Sequence, residues 1–183
     1  DGSRDRLQAR LVIGADGLRS VVARRIGRRR HLPPSRIAFV AHVTGVPGLE
    51  GFAEMHVSTA GYVGLNRVAI DEKGQTVANV ALVVPRSRAR PAAGRVADFF
   101  FQELERFPGV RGRVRRDGVV REILVTGPFA VSSSRVVTDG ALLVGDAAEF
   151  FDPFTGEGIG TAPTIGEGGG RGCAVASCVL GGP

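Results

Sequence analysis

An apolar run, Ala141-Leu142-Leu143-Val144, ends in Gly145-Asp146, and Asp152-Pro153-Phe154-Thr155-Gly156-Glu157-Gly158-Ile159 follows shortly after. The run reads as a buried strand that delivers a carboxylate at its carboxyl end, where open α/β sheets take their ligands. The Pro- and Gly-rich turn behind it leads toward a helix start, whose bare backbone N–H groups favour something electron-rich. Asp146 does not suit a phosphate, because two anions repel. It suits a polyhydroxyl chain, since an ionised carboxylate only accepts hydrogen bonds. A polyol near the strand end and an anion-prone ring near the helix together describe a flavin. A strand-end cap is the plainer account of Asp146.

A second segment repeats the pattern. Leu11-Val12-Ile13 runs into Gly14-Ala15-Asp16-Gly17, and Leu18 to Ile26 reads as a helix. Leu18, Val21, Val22 and Ile26 fall on one apolar face, and Gly27 is the expected stop. Asp16 is the expected N-cap, with Ser20 one turn further on. Helix capping and ligand contact both stand open for Asp16.

These residues resemble the FAD-dependent oxidoreductases built like para-hydroxybenzoate hydroxylase. Gly145-Asp146 with Asp152 to Ile159 looks like their second flavin motif, and Asp-Pro-Phe-Thr-Gly-Glu-Gly-Ile is most similar to the geranylgeranyl reductase branch. Gly14-Ala15-Asp16-Gly17 with Ser20 and Arg24 resembles the Asp-Gly motif of the same group, Arg24 standing one place later than usual. The resemblance implies FAD, bound through Asp16, Gly17, Gly145, Asp146, Pro153, Gly156, Glu157, Gly158 and Ile159, with NAD(P)H as candidate reductant. It further implies that Asp146 holds the ribitol chain. Backbone donors at Gly156 to Ile159 would stabilise the charge that reduced flavin develops at N1 and the C2 carbonyl. Glu157 also reads as an ordinary first-turn helix carboxylate. Glu149 reads as solvent-facing, and no catalytic acid or base is named.

Three departures bear on substrate. The aromatic hydroxylases usually place His after Gly-Asp-Ala-Ala and Asn after the last Gly-x-Gly; Glu149 and Ile159-Gly160 stand here. The reductases carry Gly-Tyr-x-Trp-x-Phe-Pro where this chain has Gly61-Tyr62-Val63-Gly64-Leu65-Asn66-Arg67. Tyr62 is retained, as a substrate-lining residue or a core aromatic of the sheet. Gly64, Asn66 and Arg67 imply a wider or more polar pocket than a geranylgeranyl chain needs.

Other elements must hold these segments. Phe39 to Val46, Phe52 to Ser58, Gly61 to Ile70 and Thr76 to Val84 read as strands, the last two joined by the polar turn Asp71 to Gln75. Short connections favour antiparallel pairing. Pro91 opens a predicted helix through Phe107, with Val96, Phe99, Phe100, Leu104 and Phe107 on one side, and strand signals resume at Val119 to Val125. The expected class is α/β, with an α+β insertion: a partial Rossmann-like FAD-binding domain (1–35 and 135–183) around an antiparallel-sheet substrate domain (36–134).

Composition narrows the alternatives. The 183 residues carry a net charge of +6, almost all of it from arginine. Arg24, Arg25, Arg28, Arg29, Arg30 and His31 form one basic cluster; Arg111, Arg113, Arg115, Arg116 and Arg121 form another. With one Tyr and no Trp for stacking, the clusters read as solvated faces, and no nucleic-acid partner is expected. Cys173 and Cys178 make no disulfide framework or metal site. No apolar run reaches membrane-spanning length, so the expected location is cytoplasmic, with peripheral membrane contact left open. No Gly-x-Gly-x-x-Gly opens the chain, so it reads as the carboxyl-side part of a longer polypeptide. Pro163 and Gly168-Gly169-Gly170 work against the long helix relatives continue there. The expected function is an FAD-dependent, geranylgeranyl-reductase-like oxidoreductase of a small or lipid-like substrate. The alternatives are an NAD(P)H-dependent flavin monooxygenase and a non-catalytic fragment. Oligomeric state is not legible.

Overall fold

The computed structural model describes residues 6–27, 29–49 and 51–155. In chain order its elements are β1 (Val12–Gly14), α1 (Val21–Ile26), β2 (Arg29–His31), β3 (Arg36–Thr44), β4 (Glu54–Ser58), β5 (Gly61–Ile70), β6 (Thr76–Pro85), α2 (Arg86–Ala89), α3 (Val96–Leu104), β7 (Leu124–Thr126), β8 (Val131–Ser133), β9 (Val137–Thr138), β10 (Ala141–Leu143) and β11 (Glu149–Phe150). They divide into two compact units, residues 1–33 with 129–183, and residues 34–128. The fold is mixed α/β with most of its regular structure in sheets.

The first unit holds two small sheets. In one, β1 runs parallel to β10, and β10 pairs antiparallel with β9. In the other, β8 lies between β11 and β2, antiparallel to both. Ala23 of α1 packs with Leu143, Ala147 and Ala148, and Val22, Ile26 and Val136 close over them. Gly14 sits where strand and helix press together: a Cβ there would lie 2.8 Å from both Leu143 Cδ2 and Val22 Cβ. The helix starts at Val21 rather than Leu18. Gly17 adopts φ +72°, and Ser20 N–H donates to Gly17 O at 3.0 Å, so a turn consumes the residues that would have been the first helical turn. Gly27 ends α1 as expected, its N–H donating to Ala23 O.

The second unit is a five-stranded antiparallel sheet in the order β4-β5-β6-β3-β7. Alternation decides its faces. Phe39, Ala41 and Val43 of β3, Val63 and Leu65 of β5, and Ala78, Val80, Leu82 and Val84 of β6 share one face, covered by Phe99, Phe100, Leu104 and Phe107. Burying each of these large side chains contributes roughly 1.5–3 kcal/mol. The helix expected from Pro91 to Phe107 is broken. α2 and a 3₁₀ turn over Arg90–Ala92 precede Gly94 at φ +73°, and α3 runs only from Val96 to Leu104. A left-handed residue cannot continue a right-handed helix, so Gly94 separates the pieces. Glu103, buried on α3, accepts from Arg88 of α2 (2.5 and 3.3 Å) and from Arg106 (3.1 Å), which ties the two helices together. The strand expected from Val119 shrinks to β7; upstream of it Val119 makes a single bridge to Val43.

Candidate functional site

The register of β1 on β10 builds the site. Gly14 is paired with Leu143, so both strands end at the same edge, and Val144 N–H donates to Gly14 O at 3.0 Å. The loop carrying Asp16 and Gly17 and the turn carrying Gly145 and Asp146 therefore leave the sheet side by side. Residues far apart in sequence meet because two parallel strands point the same way.

Asp146 lies in a 3₁₀ turn over Gly145–Ala147 that Ala148 N–H closes onto Gly145 O at 2.9 Å. Gly145 takes φ +56°, a conformation that side chains disfavour. The turn is anchored from below by the Ser133 hydroxyl, which donates to Ala147 O at 3.0 Å within the buried core. The Asp146 side chain is half-buried, and among the described residues none donates a hydrogen bond to its carboxylate. A partly desolvated carboxylate with both oxygens open is an acceptor set for hydroxyl groups.

Asp16 differs from expectation in one respect. It is not the N-cap of α1; that place belongs to Ser20, whose Oγ accepts from Ala23 N–H at 2.8 Å. Asp16 Oδ2 instead reaches past it to accept from Val21 N–H at 2.6 Å and Val22 N–H at 3.4 Å. The shift follows from the Gly17 turn, which delays the helix start and leaves both side chains competing for its free amides. The Ser20 hydroxyl and these amides hold the exposed Asp16 carboxyl below its usual range. The first amides of α1 are thus already occupied and offer no phosphate cradle.

Pro153 is exposed in a 3₁₀ turn over Pro153–Thr155, and Asp152 Oδ1 accepts from Phe154 N–H at 3.0 Å. Gly156, Glu157, Gly158 and Ile159 lie outside the described residues, as do the Gly-rich tail, the opening turn Asp1 to Asp5 and both cysteines. Glu149 is exposed on β11. Tyr62 belongs to the second unit. It is buried on the sheet face opposite α3, in register with Val57 and Val83, and Arg36 approaches its ring at 6.0 Å. On the same face Asn79 Nδ2 donates to Asn66 Oδ1 at 3.3 Å, with His42 next in register.

One residue escaped sequence reasoning. Arg29 stands in an arginine run, which invites the reading of a solvated charge cluster. In the structure its guanidinium Nη1 donates to Leu18 O, and Nη2 donates to Asp146 O at 3.2 Å. The only signal was that neighbours on a short strand face opposite ways, and Arg30 is indeed exposed. The second basic cluster is largely neutralised. Arg113 pairs with Glu54 (2.7 Å), Arg115 with Asp117 (2.6 Å), Arg116 with Asp98 (2.8 Å) and Arg111 with Glu105 (3.9 Å).

With this geometry in view, comparison with known proteins is specific. The FAD binding domain family matches residues 1–163, and the chain belongs to that family. Digeranylgeranylglycerophospholipid reductase from Methanothrix thermoacetophila is 34% identical over 159 residues, covering 84% of this chain and 37% of that protein. Digeranylgeranylglycerophospholipid reductase 1 from Methanococcoides burtonii is 30% identical over 168 residues, covering 87% and 38%. The chain spans less than two-fifths of the length of these curated relatives. Among solved structures, a triple mutant of the flavin-dependent brominase Bmp2 superposes with a TM-score of 0.80 at 19% identity, over 100% of this chain and 47% of that one. The myxobacterial chondrochloren halogenase CndH gives 0.76 at 20% identity, over 96% and 41%. These two establish the fold.

No helix among the described residues is long and apolar enough to cross a membrane. No group of three or more His, Cys, Asp or Glu residues among them is arranged to hold a metal ion.

Proposed function

We propose that this chain is part of the cofactor-and-substrate region of an FAD-dependent, geranylgeranyl-reductase-like oxidoreductase that reduces a small or lipid-like alkene. In this reading residues 1–35 and 135–183 serve the cofactor, and 36–134 serve the substrate, with Tyr62 in its pocket. The observation that carries the reading is the parallel register of β1 on β10, which brings the Asp16 loop and the Asp146 turn to one sheet edge. Sequence similarity to two archaeal reductases supports the choice of branch.

The donor and acceptor chemistry fits FAD. When bound, FAD supplies hydride and electron transfer, with NAD(P)H as the external reductant. Asp146 accepts hydrogen bonds from the ribitol hydroxyls and so fixes where the ring lies. Gly145 keeps the backbone thin at that turn. Asp16 and Gly17 shape the neighbouring loop, and Asp16 does so by accepting from Val21 and Val22 N–H beside the Ser20 cap. By resemblance, the backbone N–H groups of Gly156, Glu157, Gly158 and Ile159 serve the ring's electron-rich edge, and Pro153, which has no N–H to donate, shapes the turn that leads to them. No side chain of the chain is required to act as acid or base.

A second reading has one observation in its favour. The Asn66–Asn79 amide pair with His42 beside it puts hydrogen-bonding groups on the sheet face that carries Tyr62. That face suits a substrate with a polar end, as a flavin monooxygenase would take. The test starts from the intact protein. Absorbance near about 450 nm after gel filtration reports retained flavin, and its absence from protein supplied with FAD overturns both readings. NADPH oxidation driven by a polyprenyl alkene, and not by phenols, selects the reductase; the reverse selects the monooxygenase.

A further inference from the structure

Arg29 has more to do than its place in a basic run implies. Leu18 lies in the turn that follows Asp16-Gly17, and Asp146 lies in the turn that follows Gly145. Both carbonyl oxygens belong to irregular backbone, where no strand or helix partner claims them. One guanidinium takes both, Nη1 to Leu18 O and Nη2 to Asp146 O. The third kind of donor on this side chain, Nε–H, is buried and has no partner among the described residues. A buried donor is ordinarily paired. Leaving Nε unpaired indicates that the two carbonyls, and not the side chain's own hydrogen-bonding needs, decide how the fork is aimed.

Charge fits this arrangement. Burial, and then the neighbouring Arg24, lower the Arg29 guanidinium from its ordinary value, and the carboxylates of the two loops, Asp16 and Asp146, oppose that shift. A cation between two anionic loops lowers the repulsion that holding them side by side would cost. A planar fork presents separate donors, held apart in a fixed plane, to carbonyls on two loops; a lysine ammonium has three donors on one atom and lacks that fixed spread.

We propose that Arg29 is a positioning residue for the flavin: it clips the Asp16 loop to the Asp146 turn and so sets where the Asp146 carboxylate stands for the ribitol chain. The inference rests on the flavin reading above and assigns Arg29 no contact with the reacting atoms.

The test measures FAD affinity of the intact protein by equilibrium titration, with Arg29→Ala and Arg29→Lys beside the wild type. Melting temperature of each FAD-free protein is recorded in parallel. Arg29→Ala is expected to weaken FAD binding roughly 10- to 100-fold, the loss of two charge-assisted bonds that aim one ligand contact, with Arg29→Lys between. Millimolar guanidinium ion restores much of the affinity of Arg29→Ala and does nothing for the wild type. Unchanged affinity in Arg29→Ala overturns the proposal. So does a loss of affinity that only parallels the drop in melting temperature, is shared equally by Arg29→Lys and ignores guanidinium, because that is a plain folding defect. A wild type that binds no FAD overturns the flavin reading itself, and the positioning role falls with it.

Discussion

The open carboxylate of Asp146 and the occupied one of Asp16 do different work, and substitution separates them. Asp146→Ala removes both acceptor oxygens, and FAD affinity is expected to fall at least roughly tenfold; Asp146→Asn keeps one acceptor and falls less. Fluorescence titration of the two variants measures this, and equal affinity in wild type and Asp146→Ala removes the residue from the site. Ser20→Ala acts elsewhere. It strips the buried cap from Ala23 N–H and should cost about 1–2 kcal/mol in urea unfolding. Glu54 supplies the pH dependence. Arg113, first through its hydrogen bonds, and then His56 lower its carboxyl from 4.5 to about 2. A depressed carboxyl contributes stability that is full above its unfolded value and lost as pH falls through its folded value. Stability should therefore decline from about pH 4.5 toward 2. Because the pair lies near the surface, the loss is on the order of 1–2 kcal/mol. Acid titration of Glu54→Gln should lack that component; an unaltered profile would show that other groups carry it.

At the scale of elements, two glycines hold strands at distances that side chains forbid. Gly61 begins β5 at φ +140°, and a Cβ there would stand 2.1 Å from Val83 O. Backbone cannot yield as a flexible side chain does, so Gly61→Ala should cost more than about 3 kcal/mol and lower yield or melting temperature sharply. Gly14 is tight against Leu143 and Val22. There Gly14→Ala should cost about 1–3 kcal/mol and weaken FAD binding as well, since it pushes β1 and α1 away from β10. Normal flavin affinity in Gly14→Ala would show that this packing and the cofactor site are independent. Four strands of the second unit, β3 to β6, were readable from apolar patterning between short connections, and the Asp71 to Gln75 turn from its polarity. The broken helix was not readable, because Pro91 looks like a helix start whether or not Gly94 turns left-handed afterwards.

For the molecule as a whole, charge and partnership have to be separated. A net charge of +6 invites anionic partners, yet four arginines of the second cluster already face carboxylates. Duplex DNA is accordingly expected to show no retardation with this protein at physiological salt. A salt-dependent micromolar affinity in a gel-shift titration would reverse that view.

Local patterns determined much of this chain without help from folding. A run of apolar residues ending in Gly-Asp, the four strand segments 39–46, 52–58, 61–70 and 76–84, and one polar hairpin turn each state their own conformation, because side-chain pattern and turn chemistry act over a few residues. Family membership was also legible, since its motifs are short and contiguous. Tertiary structure decided the rest. Whether β1 would lie parallel on β10, whether Ser20 or Asp16 would cap α1, and whether Arg29 would face water or two carbonyls all depend on which distant segments come into contact. Burial and hydrogen-bond satisfaction act through space, and the order of residues does not encode that proximity locally.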